Sequence, residues 1–210
     1  MADMAAPAPK DTICDPACGT AGFLVAVSEH LRNHHGDAIY KDAEARHRFN
    51  ESTFHGYDFD PSMLRIGSMN MLLHGVENPD IRYNESLAES DDDDAERYSL
   101  SVANPPVAGS LDYESTAKDL QQIVKTKKTE LLFCALFLRL LQQAGGRAAV
   151  YRAGWCALRL IKGTQGAARD PRRRPEARRH HLHALGRVQA LGRGLHGHPF
   201  LHQDELRRHG

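Results

Sequence analysis

The chain has 210 residues, with 27 Lys+Arg against 27 Asp+Glu, a length for one ordinary domain or a domain with a tail. The zero net charge hides a split, since residues 151–210 carry 13 basic and 4 acidic side chains while residues 1–150 carry 14 and 23. The longest apolar run, Leu131 to Leu138, falls far short of the ~20 residues of a membrane helix, and Met1 to Lys10 has no basic-then-apolar signal pattern, which points away from a membrane and toward the cytoplasm. Cys14, Cys18, Cys134 and Cys156 are too scattered for a disulfide framework, and a lone C-x3-C pair does not make a metal site, so no metal is expected.

Up to Val150, short β-like runs alternate with helical patterns, as in a parallel α/β sheet. Thr12 to Cys14 reads as a first strand. Thr20 to Arg32 reads as a helix, with Phe23, Leu24, Val27 and Leu31 at helical spacing and Gly36 as its stop. A second strand spans Thr53 to Phe59. Asp60 and Pro61 then form an N-cap and first-turn pair for a helix through Met63, Ile66, Met69 and Leu73, with Gly75 at its end. Ile81 to Tyr83 gives a third strand, the acidic run Glu89 to Glu96 a solvated loop, and Ser99 to Ala103 a fourth strand. Thr129 to Gln142 gives a buried helix, and Gly145-Gly146 turns into a fifth strand at Arg147 to Val150.

Three segments carry chemistry. Asp15-Pro16-Ala17-Cys18-Gly19-Thr20-Ala21-Gly22-Phe23 lies between a strand and a helix, where a glycine-bearing loop and a helix N-terminus present backbone N–H groups to a ligand. Gly56-Tyr57-Asp58-Phe59-Asp60 then supplies an acidic side chain at the end of strand two. Asp58 suits ribose hydroxyls, Phe59 offers an apolar face for adenine, and Asp60 caps the next helix. Asn104-Pro105-Pro106-Val107 follows strand four, and Pro after Asn keeps the backbone extended at the sheet's carboxyl edge. The Asn oxygen and a neighbouring carbonyl there can hold an aromatic amine by its N–H groups while its lone pair turns toward a methyl donor.

DPACGTAGFL, GYDFDPSMLRIGSMNMLLHG, and ANPPVAGSLDYE followed by TELLFCALFLRLL resemble the adenine-N6 DNA methyltransferases, and most closely the modification subunits of type I restriction-modification systems, over about residues 5–150. The resemblance implies a class I, Rossmann-like α/β methyltransferase sheet with S-adenosylmethionine as methyl donor. It implies double-stranded DNA as substrate, and specificity and restriction subunits as partners. Asp15, Ala17, Gly19, Thr20, Gly22 and Phe23 would cradle the methionine end of the cofactor, and Asp58 would take the ribose beside Phe59. Glu85, in Asn84-Glu85-Ser86-Leu87, matches a position that contacts the cofactor adenine and is usually Asp. Asn104 and Pro105 would bind the N6 amine of a flipped adenine, with Pro106 and Val107 completing that loop. Val107 stands where the family has an aromatic ring that stacks on the base. The family's upstream helical domain and cofactor motif have no counterpart here, so an incomplete sheet and weak activity are expected.

Residues 151–210 hold 12 Arg, 8 Gly, 8 Leu, 7 Ala and 7 His and no Ser, Asn or Met, a bias produced by GC-rich coding DNA read out of frame. A one-base shift of permissible codons across Tyr151–Cys156, and again across Leu160–Arg178, yields sequence resembling the family's continuation. The expected organisation is therefore a partial catalytic domain over 1–150 and an irregular basic tail over 151–210, in which His180, His181 and His183 are accidental. Two alternatives are an N-P-P methyltransferase acting on a protein glutamine or an RNA base, and a non-enzymatic nucleic-acid binder working through the basic tail.

Overall fold

The computed structural model describes residues 2–89, 94–106, 116–152, 155–161 and 189–190, the last two stretches and Arg152 by their backbone alone. Among the described residues seven strands form one sheet: β1 (Ile13–Asp15), β2 (Phe54–Asp58), β3 (Asp80–Tyr83), β4 (Leu100–Ala103), β5 (Arg147–Arg152), β6 (Trp155–Ile161) and β7 (Gln189–Ala190). Their spatial order is β3-β2-β1-β4-β5-β6-β7. The first five in that order run parallel, β6 is antiparallel to β5, and β7 is antiparallel to β6. Parallel neighbours need crossovers, and helices supply them: α2 (Gly22–Tyr40) and α3 (Ala43–Glu51) after β1, α4 (Pro61–Leu73) after β2, and α5 (Lys118–Ile123) and α6 (Thr129–Leu140) after β4, with α1 (Ala2–Ala5) ahead of β1.

Alternation along the strands divides the core between two faces. Ile13, Phe54, Leu100, Val102 and Ala149 pack with Leu24, Val27 and Leu31 of α2, Phe49 of α3 and Met71 of α4. Cys14, Tyr57, Ala103, Ala148 and Val150 pack on the other face with Leu120 of α5 and Leu132, Leu136, Phe137 and Leu140 of α6. The α/β reading and its first five strands are therefore borne out, with boundaries within two residues.

Several local readings change. Gly36 does not stop α2; the helix continues to Tyr40 across a kink at His35 (φ −133°, ψ 19°). A glycine inside a helix costs up to ~1 kcal/mol, and here burial of Ile39 and the Tyr40–Phe49 ring contact, 6.4 Å between centroids, favour continuing. Helix α3 was not expected. The Asp42 carboxylate caps it by accepting the N–H groups of Glu44 and Ala45 at 3.3 Å, but Phe49 is its one buried residue, so it shows no apolar period. In α4 the stripe Ile66, Met69 and Leu73 faces outward, at 49, 63 and 82% exposed, and the buried residues are Gly67 and Met71.

The acidic run is not wholly a solvated loop either. Asp94 is buried and accepts hydrogen bonds from the Tyr57 hydroxyl (2.7 Å), Arg82 Nη2 (2.9 Å) and Arg97 Nη1 (2.7 Å). Burial alone would raise its pKa, but these bonds and the two guanidinium charges hold it below the ordinary carboxylate range. Residues 90–93 of the run lie outside the described residues. The sheet also passes Val150, because Trp155–Ile161, apolar but for Arg159, adds the antiparallel strand β6. His180, His181 and His183 lie outside the described residues.

The N-terminal segment is fastened to β5 by one side chain. Arg147 donates to Asp11 through Nη1 (3.1 Å) and Nη2 (2.5 Å), to the Ala5 carbonyl through Nε (3.0 Å), and to the Ala6 carbonyl (2.9 Å). Asp11 also accepts from the Ser99 hydroxyl at 2.7 Å, and its side chain is only 8% exposed. Removing one partner of such a pair strands a buried charge, so Arg147→Met is expected to lower unfolding free energy by about 3–5 kcal/mol, and adding Asp11→Leu to recover most of it. Urea unfolding of the two variants checks this, and equal losses in both would contradict it.

Candidate active site

Strands β1 and β4 lie side by side, but the chain leaves β1 toward β2 and leaves β4 toward β5, so the sheet's winding reverses between them. Open α/β sheets bind ligands outside the carboxyl ends of such strands. Asp15 ends β1, Asp58 ends β2, Tyr83 ends β3 and Asn104 follows β4 directly. The pairing of Ile13 with Leu100 and Cys14 with Ser101 sets Asn104 beside the start of the Asp15–Phe23 loop.

The loop is held peptide by peptide. The Ala17 N–H donates to Asp15 Oδ1 (3.0 Å), Cys18 N–H to the Tyr57 carbonyl (2.9 Å), Gly19 N–H to Asp58 Oδ2 (2.9 Å), and Ala21 N–H to the Cys18 carbonyl (2.8 Å). Gly19 adopts φ +52°, in the left-handed region that favours glycine. Ala21 takes φ 59° there and precedes α2 with no side-chain cap, leaving the first N–H groups of that helix aimed off the loop.

Helix α4 closes the far side. A Cβ on Gly67 would lie 3.1 Å from the Gly19 carbonyl oxygen, so a glycine there lets the helix approach, and Asn70 Nδ2 donates to the Thr20 carbonyl at 2.9 Å. Asp58 Oδ1 accepts the Asp60 N–H (2.9 Å), while Asp60 caps α4 by accepting Ser62 N–H at 2.7 Å. The third edge loop joins through Ser86, whose hydroxyl donates to the Pro16 carbonyl at 2.5 Å, and through Asn84 N–H, which donates to the Asp58 carbonyl at 3.1 Å.

The structure thus brings Asp15, Ala17, Gly19, Thr20, Gly22, Phe23, Asp58, Phe59, Glu85, Asn104, Pro105 and Pro106 to one edge of the sheet. Phe59 is 69% exposed, Glu85 and Asn104 are exposed, Phe23 is half-buried, and Pro105 is buried. Glu85 accepts the Tyr83 hydroxyl at 3.2 Å. Val107 lies outside the described residues. Sequence reasoning missed Gly67, Asn70 and Ser86. A glycine and an amide three residues apart in α4 were a readable sign of a loop-facing side, whereas nothing local marked Ser86. Among the described residues no three His, Cys, Asp or Glu side chains are grouped to hold a metal ion, and no helix is long and apolar enough to cross a membrane.

Asp15 is buried, and desolvation, with the Asp58 charge adding to it, lifts its pKa from 3.8 to about 7 against the pull of the Ala17 N–H. The folded chain therefore holds this proton more tightly than the unfolded chain. The stability this contributes is full below pH 3.8 and is lost as pH rises to about 7, a change on the order of 4 kcal/mol. Asp15→Asn keeps an acceptor for Ala17 without that loss. Urea midpoints of the parent and D15N are expected to diverge in favour of Asn as pH rises through this window, and parallel profiles would contradict it.

The chain matches the family model for N-6 DNA Methylase over residues 1–159. It is 29% identical over 145 residues to the type I restriction enzyme EcoEI methylase subunit of Escherichia coli, covering 69% of this chain and 28% of that protein. It is likewise 29% identical over 149 residues to the StySPI methylase subunit of Salmonella potsdam, covering 69% of this chain and 27% of that protein. The crystal structure of the EcoKI M protein superposes with a TM-score of 0.61 at 28% identity, over 71% of this chain and 31% of that one. The chain spans little more than a quarter of the length of the curated relatives it matches. Sheet order, edge loops and these matches agree that the chain belongs to the N-6 DNA methylase family, on a class I methyltransferase sheet.

Proposed function

We propose that this chain forms the cofactor pocket and amine-holding loop of an adenine-N6 DNA methyltransferase. S-adenosylmethionine is the donor, double-stranded DNA the substrate, and type I specificity and restriction subunits the partners. The observation that carries this reading is the meeting of the Asp15–Phe23 loop, the Asp58–Asp60 turn and Asn104-Pro105-Pro106 at the carboxyl ends of three adjacent strands. The names of the relatives, methylase subunits of type I restriction enzymes, support it.

The residues present fit the cofactor. The uncapped start of α2 can receive a carboxylate, and the Cβ sides of Gly19 and Gly22 face space with nothing within 4 Å. The Asp58 oxygens keep lone pairs beyond the two N–H groups they accept, enough for ribose hydroxyls. The exposed Phe59 ring offers a flat apolar surface, and Glu85 stands at the next strand end to accept an adenine amine. When bound, the cofactor supplies an electrophilic methyl group on a sulfonium.

The substrate side rests on Asn104 and Pro105. An exocyclic amine is a poor nucleophile because its lone pair is delocalised into the ring. The Asn104 side-chain oxygen and a neighbouring backbone carbonyl accept its N–H groups, which holds the nitrogen in place and frees the lone pair to face the methyl. Buried Pro105 keeps that backbone extended while Asn104 stays exposed to an extruded base. Val107 offers no π-face, which weakens the base-bound state by ~1–3 kcal/mol relative to an aromatic ring.

Calorimetry with S-adenosylmethionine and transfer of labelled methyl to adenine-containing duplex, in the presence of a specificity partner, test the assignment. Asp58→Ala is expected to weaken cofactor affinity about tenfold to a hundredfold. Asn104→Ala should leave affinity within about twofold and lower transfer by ~10²-fold or more, and Val107→Phe should raise it about tenfold. Transfer indifferent to Asn104→Ala would refute the reading.

A further inference from the structure

We propose that Ser86 is a positioning residue for the loop between β1 and α2, one that sets cofactor affinity by fixing the Pro16–Ala17 peptide plane. This rests on reading that loop as the cofactor loop.

The plane is gripped at both ends. Its N–H, on Ala17, donates to Asp15 Oδ1 at 3.0 Å, and its C=O, on Pro16, accepts the Ser86 hydroxyl at 2.5 Å. The proline ring already fixes φ at residue 16, so ψ is the one soft backbone torsion left there, and ψ alone turns this plane. In the peptides that follow, the Cys18 N–H is held by the Tyr57 carbonyl and the Gly19 N–H by Asp58, while the Cys18 carbonyl accepts the Ala21 N–H from within the loop. Ser86 therefore supplies the sole side-chain donor described on a carbonyl in the Asp15–Gly19 stretch from outside the loop. The plane it orients leads directly into the left-handed turn at Gly19 and the open start of α2.

The hydroxyl is itself well anchored. Asn84 N–H donates to the Asp58 carbonyl, Ala88 N–H donates to the Glu85 carbonyl at 2.8 Å, and the Leu87 carbonyl accepts Ala117 N–H at 2.9 Å. The Leu87 side chain is buried with Leu120 and the residues of α6. The turn that carries Ser86 is thus pinned to β2 on one side and to the start of α5 on the other, so little backbone freedom remains to be lost in making the bond. The same turn presents Glu85, so Ser86 also sets how far Glu85 stands from the Asp15–Phe23 loop.

The test uses the full chain. S-adenosylmethionine affinity is measured by calorimetry, and amide exchange at Ala17, Cys18 and Gly19 is measured without cofactor, for the parent, S86A and S86T. S86A is expected to weaken affinity about tenfold and to speed exchange at Ala17 several-fold, with a thermal midpoint close to the parent's. S86T restores the hydroxyl and should restore both readouts. Should S86A fail to fold, S86C keeps the volume with only a weak S–H donor and serves in its place. Parent-like exchange and affinity in S86A, or no rescue by S86T, overturns the proposal. A parent that does not bind S-adenosylmethionine overturns the cofactor reading and the affinity claim together, and faster exchange in S86A then leaves Ser86 a clamp of the loop only.

Discussion

One carboxylate ties two strand ends together. Asp58 sits at the end of β2 and accepts the N–H of Gly19 with one oxygen and that of Asp60 with the other. The first bond holds a left-handed glycine in the loop after β1, and the second sets the residue that caps α4. The loop's shape and the helix's starting direction therefore share a single fixed point, and α4 returns along the loop to contact it again through Gly67 and Asn70.

The neighbouring residue serves the opposite face. The Tyr57 side chain points away from the loop, and its hydroxyl meets Asp94, Tyr98 and Arg82, while its backbone carbonyl accepts the Cys18 N–H. Period-two alternation puts a buried polar cluster under the sheet and the loop's anchor above it through adjacent residues. That cluster brings two arginines to one aspartate, and burying the Asp94 charge is tolerable because its pairings with Arg82 (2.9 Å) and Arg97 (2.7 Å) are short and Arg82 also lies 4.9 Å over the Tyr57 ring. The segment after β3 is thereby held at Asp94 as well as at Ser86.

Features with a local cause could be read from the chain. The Asp60-Pro61 start of α4, the glycine stop at Gly75 and the five parallel strands follow from capping chemistry, positive φ and short β-rich runs, and all are present. The three edge segments were legible because their order along the chain matches the order that a doubly wound sheet imposes on its carboxyl edge. What escaped depends on distant partners. The outward stripe Ile66, Met69 and Leu73 has the spacing of a core face, and only the loop packed against Gly67 shows which side of α4 is buried. Asp94 reads as one more residue of an acidic run until Arg82 and Arg97 are found around it. Helix α3 was obscured for the opposite reason, since a cap and a single phenylalanine suffice when the neighbouring elements already fix its ends.

The close approach at Gly67 has a consequence for recombination between relatives. With 3.1 Å between a would-be Cβ and the Gly19 carbonyl, the contact is set by backbone on the loop side, which cannot step aside as a flexible side chain would. The loop and α4 therefore behave as one cassette, although Gly19 and Gly67 stand 48 positions apart with α2 and α3 between them. A chimera that took β1 and its loop from one parent and α4 from another would inherit two halves of a fitted joint. Crossover points outside residues 15–70 keep both halves from one parent.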